Sequence, residues 1–268
     1  VKKAESPALS DLQAATPEPQ QQPVEQESCP TCGKPPVLCV CEGVEPIDTK
    51  VALLLLQHPQ EQDRLLGTAR LTQLSLKNSV LKIGLSWPSL SKALGRDADP
   101  TQWGILHLGS TKPSDLPPGR ELVVLDKKGV PLPNQDRELA ELRGVVLFDG
   151  SWAQAKTLWW RNAWVLKGKR LALNPQQASL YGKLRREPRR EALSTLEAAA
   201  LAISRLERKP AIETKLQAVF GKMLDRYRAA LAGGLLVEAG VEPEGKKVDR
   251  RRGRRGPPRA KKSAAPTA

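Results

Sequence analysis

The chain contains no long apolar run. Its longest, VALLLLQ at 51–57, has the length of a strand and falls far short of the roughly 20 residues that cross a bilayer. The opening VKKAESPALS has no apolar stretch of the kind a secretory leader carries. These two absences predict a protein without a membrane segment, residing in the cytoplasm. Internal repeats are absent too. Histidine occurs twice, and cysteine is confined to one short segment, with none elsewhere.

Positive charge, by contrast, is in excess. Lys and Arg number 43 against 29 Asp and Glu, a formal net charge of +14. That balance predicts a polyanionic partner, nucleic acid before an acidic membrane surface. A length of 268 residues allows one sizeable domain with appendages, or two small domains. Residues 1–28 are rich in Gln, Pro, Glu and Ala and predict a disordered leader. Residues 241–268 include KKVDRRRGRRGPPRAKK and predict a disordered basic tail. The tail fits either a solubilising role or salt-sensitive RNA affinity.

Between them, short apolar runs alternate with helical patterns. Strands are predicted at 51–57, 80–84, 103–109, 121–126, 144–150 and 170–174. Several are apolar on consecutive residues, which suits a sheet covered on both faces. Helices are predicted at 62–77, 134–142, 152–161, 195–207 and 212–232, with TLEAAALAISRLE the clearest. The alternation predicts an α/β fold with a mainly parallel sheet and helices on both faces. Strand order is not encoded in periodicity.

The four cysteines fall in CPTCGKPPVLCVC, as Cys29, Cys32, Cys39 and Cys41. Four thiolates complete a tetrahedral zinc shell, and C-x2-C followed by Gly forms one arm of such a site. Residues 29–46 are too short and too rich in Pro and Gly to fold by burial alone, so a metal would supply the folding energy. With no open coordination position, that zinc would be structural. Two disulfides are the alternative, disfavoured inside a cell.

Polar clusters sit at the edges of three apolar elements. QHPQE at 57–61 follows the first strand and brings His58 and Glu61. DGSW at 149–152 lies where a buried strand gives way to a helix, the place where α/β folds bind small ligands. LSTLEA at 193–198 brings Ser194, Thr195 and Glu197 to a helix start. Each has a purely structural reading as well. His58 fits a hydrogen-bonded structural histidine, Asp149 an N-cap, and Ser194 with Glu197 a capping box. The tryptophans at 152, 159, 160 and 164 lie near helical spacing and are partly core.

Taken in order, these pieces resemble the DTW-domain family. CPTCGKPPVLCVC is similar to the family's Cys-rich start, VALLLLQHPQE to its strand and H-P-x-E motif, DGSWAQAKTL to the DTW motif itself, and SLYGKLRREPRREALSTLEAAAL to its C-terminal motif. The resemblance covers roughly residues 29–207. Ser151 stands where the family usually has Thr, keeping the hydroxyl and losing the methyl.

The resemblance implies a tRNA-uridine aminocarboxypropyltransferase of the bacterial type. Such an enzyme moves the 3-amino-3-carboxypropyl group of S-adenosylmethionine to N3 of a uridine, here expected at U47 of the variable loop, and releases methylthioadenosine. It also implies a SPOUT-like fold with a C-terminal trefoil knot. Asp149 would accept the N3 proton, or would instead anchor the cofactor's ammonium group. Ser151 and Trp152 would shape the cofactor pocket. Thr195 and Glu197 would bind the amino-acid part of the cofactor. His58 and Glu61 would line the uridine side, and Arg185 and Arg186 would hold tRNA phosphates. A monomer is expected. A SPOUT-like methyltransferase and a non-catalytic zinc-stabilised RNA-binding protein are the competing readings.

Overall fold

The computed structural model describes residues 28–106, 113–184 and 193–236. The leader up to 27, the basic tail, positions 107–109 of the third expected strand, and Arg185 and Arg186 lie outside the described residues.

All six expected strands form: β1 Ala52–Gln57, β2 Ser79–Ile83, β3 Trp103–Leu106, β4 Leu122–Leu125, β5 Gly144–Asp149 and β6 Lys169–Leu173. They make one sheet in the order β2-β1-β5-β3-β6-β4. Four pairings are parallel, and β4 runs antiparallel to β6 at the edge. The chain builds outward from β1 to β2, then reverses to β3, and β5 later enters the gap between β1 and β3. β1 and β5 are therefore central neighbours, registered from Ala52 opposite Gly144 to Gln57 opposite Asp149. Their carboxyl ends open onto the switch in strand order, where α/β sheets hold ligands.

Side-chain alternation splits the core in two. Leu53, Leu55, Val145 and Leu147 face α1 (Ala69–Ser75), α5 (Thr195–Glu207) and α6 (Pro210–Ala232). Ala52, Leu54, Leu56 and Val146 face α2 (Leu90–Leu94), α4 (Trp152–Arg161) and a 3₁₀ turn at Ala163–Lys167. The remaining helix, α3, spans Gln135–Ala140. Helices thus cover both faces, which is why β1 is buried at every position. At the start of β5, a Cβ on Gly144 would lie 2.5 Å from the Trp103 ring, so glycine is needed for the indole to cross that strand.

One helical expectation is corrected, and one short helix was not expected. The helix expected at 62–77 begins only at Ala69. Residues 59–61 form a 3₁₀ turn, and Arg64 N–H to the Glu61 carbonyl and Gly67 N–H to the Arg64 carbonyl close further turns. Gly67, a poor helix residue, interrupts the expected run just ahead of Ala69. The five-residue α2 went unpredicted because it is too short to display a period. Ser89 caps it by accepting from Lys92 N–H, and Gly95 closes it at φ 77°.

The Cys segment packs on the far end of α6, where Leu38 is buried with Tyr227 and Ala230. No described helix is long and apolar enough to cross a membrane.

Candidate active site and cysteine cluster

Asp149 is the last residue of β5 and is only 8% exposed. Its carboxylate accepts from Gln57 Nε2 at 2.8 Å through one oxygen and from the Thr195 hydroxyl through the other. Gln57 reaches it because the parallel register places the two residues side by side at the ends of β1 and β5. Thr195 reaches it because α5 begins over the same sheet end. A carboxylate has about four acceptor positions, and Gln57 and Thr195 take one on each oxygen. The backbone continues the junction: His58 N–H donates to the Asp149 carbonyl at 3.0 Å.

The helix after β5 is capped by Ser151, not by Asp149. Ser151 Oγ accepts from Gln154 N–H at 3.4 Å, and Ser151 N–H donates to Gln154 Oε1 at 2.6 Å, a reciprocal capping box. Gln154 Nε2 then donates to Gln60 Oε1 at 3.2 Å, tying α4 to the turn after β1. Gly150 between strand and cap has φ 156°, and a Cβ there would meet Gln154 Cβ at 3.0 Å. Trp152 occupies the first turn of α4, 38% exposed.

His58 caps the Pro59–Glu61 turn, its Nδ1 accepting from Gln60 N–H at 3.3 Å. Glu61 is buried and pairs with Arg64 at 3.8 Å. Glu197 closes the expected capping box with Ser194: Ser194 N–H donates to its carboxylate at 2.8 Å and Glu197 N–H to Ser194 Oγ at 3.1 Å. The same carboxylate accepts from Ser179 Oγ and from Leu180 N–H, each at 2.7 Å. Glu197 therefore fastens the segment after β6 to the start of α5. The structure brings His58, Asp149, Ser151, Trp152 and Thr195 to one sheet end, with Glu61 in the turn that follows β1 and Glu197 in the first turn of α5.

Several contributors carry no motif of their own. Gln57 was visible only as the polar residue closing an apolar run. Thr68 Oγ1 accepts from Leu196 N–H at 3.2 Å and helps seat α5. Lys34, next to the knuckle glycine of the Cys segment, is buried and donates from Nζ to the Arg64 carbonyl. Burial pulls its ammonium down to about 8, against the charges of Cys32, Asp149 and Asp63. The Cys segment thus places a buried cation within electrostatic reach of Asp149.

The four cysteine sulfurs lie within 4.8 Å of one another. Cys29 and Cys41 are 4.0 Å apart and Cys32 and Cys39 3.8 Å. Zn–S bonds of about 2.3 Å in a tetrahedron set sulfurs about 3.8 Å apart, whereas a disulfide needs about 2.05 Å. The donor set fits a tetrahedral metal and is consistent with zinc. Backbone N–H groups of Cys32 and Thr31 draw the Cys29 thiol down to about 6, while burial pushes Cys32 and Cys41 up.

An α/β sheet with a carboxylate at the strand-order switch, a capped D-G-S-W junction beside it and a four-cysteine knuckle ahead of it defines a DTW domain. The DTW-domain family model matches residues 26–228, most of the chain, and the chain belongs to that family. Among its relatives, tRNA-uridine aminocarboxypropyltransferase 2 of Macaca fascicularis is 27% identical over 190 residues, covering 70% of this chain and 59% of that protein. The protein of the same name from Mus musculus is 29% identical over 192 residues, covering 70% and 59%. The Drosophila melanogaster one is 29% identical over 218 residues, covering 79% and 78%. The chain spans about three fifths of the length of the two mammalian relatives it matches. No solved structure matches significantly.

Proposed function

We propose that the chain transfers the 3-amino-3-carboxypropyl group of S-adenosylmethionine to N3 of a uridine in tRNA, forming acp3U and releasing methylthioadenosine. One observation carries the reading: within the family-matched region, a buried Asp149 carboxylate stands at the strand-order switch, held on both oxygens by Gln57 and Thr195. The names of the relatives, applied at this identity, point to the same activity.

In this reading Asp149 accepts the N3 proton. The N3 lone pair attacks the methionine side-chain carbon bonded to sulfur, and the carbon–sulfur pair leaves with the thioether. Choosing that carbon over the methyl is a matter of orientation. Ser151 and Trp152 shape the cofactor pocket, and Thr195 at the start of α5 favours the cofactor's carboxylate. Glu197, with three donors already on its carboxylate, serves by holding residues 179–180 and the helix start in place. His58 and Glu61 line the uridine side, and Arg185 and Arg186 hold tRNA phosphates. We assign U47 of the variable loop as the target and the cytoplasm as the compartment. The Cys29, Cys32, Cys39 and Cys41 site holds a structural zinc. A SPOUT-like C-terminal knot belongs to the same reading and follows from the family resemblance alone.

The test is nucleoside mass spectrometry after incubation with unmodified tRNA transcript and S-adenosylmethionine. A uridine heavier by the aminocarboxypropyl group, with methylthioadenosine released, is expected. A methylated base with S-adenosylhomocysteine would make it a methyltransferase; tRNA bound without product would make it a binding protein. Asp149→Asn separates the roles of that residue: loss of kcat at unchanged KM for S-adenosylmethionine marks the base, a raised KM the anchor.

A further inference from the structure

The tandem Trp159-Trp160 points two ways. Trp159 is buried, its ring 5.8 Å from that of Phe148. Trp160 is 72% exposed, the most exposed of the large apolar side chains among the described residues. On α4 it falls eight residues after Trp152, with Lys156 midway, and all three are exposed. At 1.5 Å per residue this stripe extends about 12 Å away from the Asp149 junction. Arg161 follows it, and α4 contains no Asp or Glu.

The helix is a rigid support. Its start is closed by the Ser151–Gln154 box. At its end, fully buried Asn162 accepts from Trp87 N–H at 2.8 Å and donates to the carbonyls of Leu85 and Leu158. Ser86 Oγ donates to the Arg161 carbonyl at 3.0 Å. Trp160 is thus held out to solvent on a frame that cannot fold it back.

We propose that Trp160 with Lys156, leading outward along α4 from Trp152, is a stacking platform for the single-stranded RNA next to the reacting uridine. The inference rests on the reading of the chain as a tRNA-modifying enzyme. Indoles stack on unpaired bases of any sequence, while Lys156 and Arg161 meet the phosphates. Paired bases in a duplex offer no free face to Trp160. A second copy of the chain fits less well, because a two-fold contact through α4 would bring two sets of Lys156 and Arg161 together with no Asp or Glu on α4 to pair with them. In position, the stripe leads a strand from the target base outward along α4.

The experiment measures the full chain binding a labelled single-stranded RNA dodecamer with a central uridine, its blunt duplex, and unmodified tRNA transcript. Wild type, Trp160→Ala and Trp160→Phe are compared. Trp160→Ala is expected to weaken the dodecamer and the tRNA by about 5- to 100-fold. Trp160→Phe should stay within about threefold, and duplex affinity and melting temperature should not move. Equal affinity of Trp160→Ala and wild type for both single-stranded and transfer RNA overturns the platform. So does a wild-type dimer that Trp160→Ala splits without loss of RNA affinity. If wild type releases no methylthioadenosine with tRNA yet Trp160→Ala still loses the dodecamer, the activity reading fails and the platform stands.

Discussion

Thr195→Val isolates the hydrogen bond that α5 contributes to Asp149. The substitution keeps the shape, and Thr and Val have nearly equal helix propensity, so the hydroxyl is the main thing lost. That hydroxyl donates to one oxygen of a carboxylate only 8% exposed, and Gln57 serves the other. A hydrogen bond to a charged group contributes about 1.5–3 kcal/mol, and water has little access to replace it. The expected destabilisation is therefore about 1.5–3 kcal/mol, a fall in Tm of about 3–12 °C for a domain of this size. Thr195→Ser restores the donor and should recover most of it. Turnover of tRNA should fall by about tenfold or more, because a carboxylate released on one side no longer presents a fixed lone pair. Thermal melting and nucleoside mass spectrometry read the two effects. A Thr195→Val protein that melts and turns over like wild type refutes the argument. Adding Gln57→Met should be non-additive, since both donors share one acceptor.

Gly150→Ala meets both an unfavourable φ and Gln154 Cβ, and should cost about 1–3 kcal/mol by urea unfolding. Ser151→Thr restores the family's residue and keeps an N-cap oxygen, so stability should change by less than about 0.5 kcal/mol and activity should not fall; a large loss would show that the serine is required. Elemental analysis should find about one zinc per chain, and Cys39→Ser or strong chelation should raise hydrogen exchange in residues 29–46 and in the Tyr227–Ala230 end of α6, because Leu38 packs there. Glu197→Gln sets an amide NH2 against the Leu180 N–H on one side of the carboxylate or against Ser179 Oγ and Ser194 N–H on the other, and should lower stability by about 1–3 kcal/mol with Ser179 and Leu180 exchanging faster.

The covalent order of residues was enough for the strands, for most of the longer helices and for the four-cysteine cluster. Runs such as LLLLQ and VVLFD are apolar at every position because both faces of a central strand are covered. S-x-x-E at Ser194–Glu197 announces a capping box because the partners are three residues apart, within reach of one helical turn, whereas the Ser151–Gln154 box went unread beside Asp149 as the apparent cap. C-x2-C with a following Gly announces a metal arm for the same local reason. Tertiary structure alone decided the rest. Nothing local tells β5 to enter between β1 and β3, yet that insertion puts Gln57 beside Asp149, 92 residues away in sequence. Thr195 reaches the same carboxylate, and Lys34 its vicinity, only after the chain has closed around the sheet. The sense of the paired tryptophans was equally hidden: one turns into the core and the other out to solvent because packing against Phe148 orients α4, a contact that no pattern in the sequence encodes.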